Sequence, residues 1–284
     1  MGRAGTLNGT RRRQARLASF ALSASGYVVA AGILVWGFST GHFSVPGGDA
    51  LVWNRVGDDL RAGLDVYARQ PVLTNTFFYA PPWAVIFAAV SWLPVDLWYV
   101  GIVALEVAAV RYLAGSWTRV GWFCWWPFVA FELPSGNFNL IMAASIVVAV
   151  RGEPRPAVLM ALAKLAPAIA IRRRDWRKAL WALVVACAIT VPWLWLWPNW
   201  VEEHMIAALS WPTLGPQIPI ALPVRLAVAG ALVVARRPWA TALAAAIATP
   251  AFYFGSLVLL LAPIAVVLGA RATPGRGRGG HAPG

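Results

Sequence analysis

Acidic side chains are scarce in this chain: eleven Asp and Glu among 284 residues, against twenty-four Lys and Arg, for a formal charge of +13. Charged residues of both signs reach 12%, about half of what a soluble domain carries. Cysteine is nearly absent. Cys124 and Cys187 both lie inside apolar runs, which excludes a disulfide framework or a zinc pattern and suits small buried hydrophobes. With three histidines, a histidine-rich metal site is excluded as well. The basic residues form no continuous patch and accompany no nucleic-acid reading motif, so nucleic acid is not an expected partner.

What is present is apolar: 60% of the residues are hydrophobic, and Trp alone numbers 17. Leu17 to Gly48 contains no Asp, Glu, Lys or Arg. Residues 17–38 are too long for a signal-peptide core and are followed by no clear small-x-small cleavage site. They make a first membrane crossing, for which about 20 residues suffice. Further apolar runs occupy 81–94, 97–110, 120–131, 140–150, 157–171, 180–197, 218–235, 239–251 and 253–270. The pattern predicts an all-α polytopic membrane protein with roughly ten crossings.

Basic clusters punctuate these runs: Arg11, Arg12, Arg13 and Arg16; Arg172, Arg173, Arg174, Arg177 and Lys178; Arg236 and Arg237; and Arg271, Arg276 and Arg278. The positive-inside rule places both termini in the cytoplasm of a plasma membrane. The same alternation puts Arg111, Arg119, Arg151 and Arg155 outside, against that rule. The expected organisation is a basic cytoplasmic tail (1–16), one membrane domain (17–270) with an external acidic loop (41–80), and a disordered Gly- and Pro-rich tail (271–284). A strong bias toward Arg over Lys, with abundant Ala, suits a GC-rich bacterial genome.

Asp49, Asp58, Asp59 and Asp65 crowd into residues 47–70. Val52, Val56, Leu60 and Leu64 recur every four positions there, one stripe of an amphipathic helix. Such a helix is expected along the outer membrane surface, stripe down, with Gly63 ending it. Asp58 and Asp59 suit a solvated face balanced by Arg55 and Arg61. Asp49 falls at the helix start, where it suits an N-cap; a general base held at the outer face is compatible with the same position.

The order Asp49-x-x-x-Trp53, "RAGLDVY" (61–67) and "FFYAPP" (77–82), after an apolar helix, resembles glycosyltransferase family 87. "SGNFNLIMAASIVVAV" (135–150) is similar to that family's Gly-Gln-x-Asn segment. "ALAKLAPAIAIRRRDWRKA" (161–179) is similar to its Lys-x-x-Pro helix and basic loop. The blocks run from about residue 17 to about 237; Asn137 follows Gly136 where Gln is usual, and Val66 replaces the usual Pro. The resemblance implies a GT-C-type polytopic enzyme of the bacterial cell envelope. It would move a sugar, most simply mannose, from a polyprenyl-phosphate donor to a hydroxyl of a glycolipid or glycan acceptor, with inversion. By the same pattern Asp49 would take the acceptor's proton.

Phosphate charge developing on the leaving group needs fixed cations or a divalent metal; no other cofactor is implied. Lys164 stands about 12 Å from the boundary at Arg172, and Arg225 about 16 Å from that at Arg236, by helix rise. Mid-membrane cations face a cavity or a partner, so both are candidate donor-phosphate ligands, with pairing of Lys164 to Glu106 or Glu132 as the structural alternative. Tyr67 and Tyr79 are candidates for stacking on sugar, although Tyr also suits a membrane interface. His204, beside Glu202 and Glu203, is a candidate for positioning an acceptor or helping to bind a divalent cation, although an interfacial polar loop suits it better. Asn137 joins the substrate-binding candidates, and with Asn139 also suits the bonding of backbone at a helix break. Mid-membrane cations and broken helices equally fit a transporter or flippase; an inactive membrane scaffold is the third alternative.

Overall fold

Prolines open five of the α-helices and left-handed glycines, Gly63, Gly115 and Gly136, follow the ends of three, so that several apolar runs become short helices rather than full spans. A computed structural model describes residues 4–41, 47–67, 77–205, 220–250 and 254–272; the side chains of 4–10, 203–205, 254 and 270–272 are outside that description. The described residues contain helices and no strand. The helices are α1 (Ala4–Ser39), α2 (Gly48–Arg61), α3 (Pro81–Val90), α4 (Val95–Ala114), α5 (Trp117–Phe123), α6 (Pro127–Ser135) and α7 (Asn139–Val150). They continue with α8 (Arg155–Lys164), α9 (Trp176–Ala188), α10 (Leu196–Asn199), α11 (Leu222–Val234), α12 (Pro238–Ile247) and α13 (Leu261–Ala272). Pro at the first turn of α3, α6, α8, α11 and α12 gives up an N–H that has no intrahelical partner there.

The all-α class is as expected; ten crossings are not. Among the described residues two helices are long and apolar enough to cross a membrane, Arg11–Ser39 within α1 and the whole of α4. A third arises only if α6 and α7, bent by 114° across residues 136–138, count as one span. A ten-residue helix such as α3 or α12 rises about 15 Å, half of a bilayer core. Both start at proline, and their C-caps are Ser91 and Ala248. Even so, Phe20, Val35, Val100, Trp181, Val185 and Val234 are all exposed, an apolar exterior that suits lipid rather than water.

Further differences from expectation concern the ends of the chain. The basic residues Arg11 to Arg16 are helical and continuous with the first apolar run, since α1 begins at Ala4. The disordered tail predicted for 271–284 falls outside the described residues from 273 onward, and 271–272 belong to α13.

Helix α2 forms as predicted, and its termination follows the glycine. Gly63 is left-handed (φ 73°); its N–H bonds Leu60 O at 3.0 Å and that of Leu64 bonds Asp59 O at 2.9 Å, a Schellman ending. The stripe, however, does not lie on the membrane. Trp53, Val56 and Leu60 are buried against α3, while Leu64 is exposed. Gly57 permits the close approach: a Cβ there would stand 2.5 Å from Phe87 O.

One end of the bundle gathers Arg151 with Arg172, Arg174 and Lys178. Arg151, at the end of α7, donates to Tyr112 Oη in α4 at 2.9 Å, and Lys178 in α9 donates to Gly152 O at 3.3 Å. A Cβ on Gly152 would come within 2.6 Å of Arg172 Nη2, and one on Gly269 of α13 within 2.7 Å of Arg151 Nη2. Arg151 and the 172–178 cluster therefore share one end, which corrects the alternation that set them on opposite sides. The cause is a hairpin. Helix α8 leaves this end at Arg155 and stops at Lys164; Leu165 turns the chain (φ 40°), and a 3₁₀ stretch, Ala166–Ala170, leads back to Arg172.

Candidate functional site

Three interruptions of helix meet at one place: the turn before α2, the break between α6 and α7, and the tip of the α8 hairpin. Gly47 and Gly136 are both left-handed, with φ of 75° and 65°. The ring of Tyr99 in α4 lies against both; a Cβ would reach it at 2.7 Å from Gly47 and 3.2 Å from Gly136. Tyr99 Oη donates to Leu133 O at 3.1 Å, and Gly47 N–H donates to Pro134 O at 2.6 Å. The start of α2 is thereby pinned on the end of α6.

That pinning brings Asp49 to Asn137. Asn137 Nδ2 donates to Asp49 Oδ2 at 2.7 Å, and Asn137 Oδ1 accepts the N–H of Phe138 at 2.7 Å. The N-cap expectation for Asp49 is corrected: the N-cap is Gly47, which offers no side-chain bond, and Asp49 is the second helical residue. Its carboxylate is spent on another element instead of on its own helix. A negative charge in a first helical turn remains favoured by the peptide dipoles.

Asn139, the first residue of α7, is fully buried. Its Nδ2 donates to Glu132 Oε1 and Oε2 at 2.9 and 3.1 Å. Its Oδ1 accepts from Lys164 Nζ at 2.7 Å. Lys164 thus tips the hairpin into this cluster, and its charge acts on both Asp49 and Glu132. Burial raises the pKa of Asp49 above its ordinary value, and the Lys164 ammonium and the Asn137 bond partly offset that rise. The cluster is graded in depth: Asp49, Asn137 and Lys164 are half-buried, whereas Glu132 and Asn139 are buried.

Glu106 lies deeper still, one of the side chains with no exposure at all. Neither of its oxygens has a hydrogen-bond partner among the described residues. It sits in α4 two turns beyond Tyr99, near enough to Glu132 and Asp49 to feel their charge. Carboxylates this deep are costly and mark functional positions in membrane helices. Among the described residues, no three His, Cys, Asp or Glu side chains approach closely enough to hold a metal ion.

Two site candidates turn out to be core. Tyr67 is fully buried; its hydroxyl donates to Tyr79 O at 2.7 Å, and Asp65 Oδ1 accepts its N–H at 2.9 Å. Tyr79 is buried too, its ring against Trp53, Phe77, Trp83 and Phe138. Neither ring offers a free face to a sugar. Phe138, at the α6–α7 break, stacks on Trp53 at 4.1 Å between centroids and 16° between planes. That aromatic cluster is the floor on which the polar groups stand.

Arg225 is also placed differently. It is buried, and its guanidinium donates to Ile220 O at 3.0 Å, Ile247 O at 3.1 Å, Pro250 O at 3.0 Å and to Thr249 O. Ile247 is the last residue of α12 and Thr249 and Pro250 follow it, so the side chain serves as a C-terminal cap in trans. Lys164, not Arg225, is the cation acting on Asp49. His204 falls in a π-helical turn, Trp200–Met205, but its side chain is outside the description. Nearby, Asn199 Nδ2 donates to Asp65 Oδ2 at 2.5 Å and Trp200 Nε1 to Phe78 O at 3.0 Å. Asp65, unassigned from the sequence, thus ties the acidic segment to residues 196–200.

No protein-family model matches the chain, and no curated protein or solved structure matches it. Function therefore rests on the site itself.

The residues that sequence reasoning passed over are Glu132, Asn139 and Glu106, which it treated as possible partners or backbone ligands. A signal for two of them was present: an acid in an apolar run is expensive, and both Glu106 and Glu132 are such acids. Nothing in the sequence joined them to Asp49.

Proposed function

We propose that the chain is a membrane glycosyltransferase that moves a sugar from a polyprenyl-phosphate donor to a hydroxyl acceptor, with Asp49 as general base. The meeting of a half-buried carboxylate, an amide that orients it and an ammonium at the tip of a broken helix carries the proposal. In the reaction the acceptor oxygen bonds C1 of the sugar and the C1–O bond to phosphate breaks. The acceptor's proton passes to Asp49, and the phosphate stays on its prenyl chain. Lys164 is the cation that would face the departing phosphate; Arg225, committed to carbonyls, is withdrawn from that role. Asn137 holds the Asp49 carboxylate in place.

The geometry of α7 supports the side of action. Its twelve residues span about 18 Å, with Asn139 beside the Asp49 cluster and Arg151 at the basic end. If the basic end faces the cytoplasm by the positive-inside rule, Asp49 lies toward the opposite face, where a lipid-linked donor would be presented. Mannose is the sugar implied by the family resemblance.

The test is transfer in membranes supplied with radiolabelled polyprenyl-phosphate-mannose. Asp49→Asn retains the shape and the bond to Asn137, so the protein should fold normally while transfer falls by about 10²- to 10⁴-fold. Transfer that survives at the wild-type rate removes Asp49 as the base. A second reading, transport of a lipid or small solute, is favoured by one observation: the deep Glu106, without a hydrogen-bond partner among the described residues, beside broken helices. Sugar-independent uptake that is lost in Glu106→Gln would favour it over transfer.

A further inference from the structure

Gly152 forms the centre of a second polar site, at the opposite end of α7 from Asp49. Its φ of 108° suits only glycine, and the space a Cβ would fill is bounded by Arg172 Nη2 at 2.6 Å and Arg174 Nη2 at 3.8 Å. Lys178 Nζ donates to its carbonyl at 3.3 Å. Three cations thus converge on one backbone position. Two carboxylates lie among them: Asp175 accepts from Arg172 Nε at 3.2 Å and lies 3.7 Å from Arg174 Nε, and Glu153, bonded to Arg155 at 2.6 Å, feels the charge of Lys178, so the cations still outnumber the acids. Arg172 Nη2 is buried and has no hydrogen-bond partner among the described residues. A buried unpaired donor on a charged group is costly, and like charges gathered around it add repulsion. An anion with several acceptor oxygens would relieve both.

The surroundings say what kind of anion. Helix α9 leaves the cluster carrying Trp176, Leu180, Trp181, Val184 and Val185, all exposed. Lys178 and Trp181, three residues apart, lie on one helical face, so the charge cluster stands at the foot of an apolar stripe. Tyr112 and Trp117, also exposed, complete an aromatic rim of the kind found at a membrane interface.

We propose that this cluster binds the phosphate headgroup of an anionic membrane phospholipid, with Arg172, Arg174 and Lys178 on the phosphate and an acyl chain along the exposed face of α9. The site is independent of the proposed sugar transfer. Arg174 and Lys178 are the exposed members, and the headgroup reaches Arg172 by displacing its packing against Gly152. Inorganic phosphate has the same oxygens but no chain to lie on α9, so it binds far more weakly.

Native mass spectrometry of the full chain in detergent tests this, with dioleoyl-phosphatidylglycerol, dioleoyl-phosphatidylcholine or inorganic phosphate titrated in. One phosphatidylglycerol should be retained in preference to phosphatidylcholine, and excess inorganic phosphate should not displace it. In the double variant Arg174→Gln/Lys178→Gln, retention should fall by roughly thirtyfold, since each cation near an anionic headgroup contributes about a factor of five. Both side chains are exposed, so the variant should fold, and a melting temperature equal to wild type checks that. Arg236→Gln/Arg237→Gln removes the same charge elsewhere and should leave retention unchanged. Equal retention in the Arg174/Lys178 variant, an equal loss in the Arg236/Arg237 control, or displacement by inorganic phosphate would each overturn the assignment.

Discussion

Lys164 and Arg225 look alike along the chain: each is a single cation in a long apolar run, at similar estimated depth. In the fold they do opposite things. Arg225 gives its described hydrogen bonds to backbone carbonyls, three of them at the end of α12, and so holds the scaffold together. Lys164 gives a bond to a side chain, Asn139, that also holds Glu132, and its charge reaches Asp49. The lesson is that a buried cation's partners, not its depth, separate a cap from a site. A guanidinium with five donors in a fixed fork suits several carbonyls at once; an ammonium suits a single point of negative potential.

The comparison breaks most sharply on stability. Arg225→Leu should unfold the protein more easily by about 3 kcal/mol or more, because several carbonyls lose their donor in a dry environment. Chemical denaturation in detergent measures it. Sugar transfer per folded molecule should stay near wild type, and a selective loss of transfer without loss of stability would put Arg225 back in the site. Lys164→Gln should show the reverse: folding close to wild type, with transfer down by roughly 10²-fold, the scale for one electrostatic donor at a reacting group.

A third measurement sharpens the link between Lys164 and Asp49. In the proposed reaction Asp49 must be ionised, so the rate should fall as pH drops through its folded-state pKa. Burial raises that value above the ordinary one, and Lys164 holds it down. In Lys164→Gln the acid limb of the pH–rate profile should therefore move to higher pH; a shift to lower pH would separate the two groups. The linkage to stability runs the other way. A raised carboxyl pKa favours the folded state at low pH, and that contribution is lost as pH rises through the folded value. Asp49→Asn should remove this pH dependence from the unfolding curve.

The smallest effect belongs to the exposed face of α2. Arg61 and Asp58 lie 3.8 Å apart with both side chains about half exposed. Arg61→Ala should change stability by no more than about 0.5 kcal/mol. A larger loss would mean that this face meets something other than solvent.

Much of the fold class was legible because it follows from local composition. The apolar runs, the amphipathic α2 with its Gly63 ending, and the break around Gly136 each depend on residues within a turn or two of one another. The number of crossings was not legible, since a run such as 157–171 reads the same whether it spans or doubles back at Leu165. Asp49 was singled out by its place at the start of the acidic helix that follows the first apolar run, but its partner Asn137 lies 88 positions away. Tyr67 and Tyr79 were misplaced for a related reason: whether an aromatic ring faces a ligand or a core depends on what packs over it, and here Trp53 and Phe138 do.

Composition alone made this a helical chain with an apolar exterior and a shortage of acids, because burial and helix propensity act over short stretches. Only the tertiary fold decided which of the few charges meet, since that needed two distant interruptions of helix to be brought against one tyrosine ring and a third, the hairpin tip at Lys164, to reach Asn139 beside them, a matter of packing that no single segment encodes.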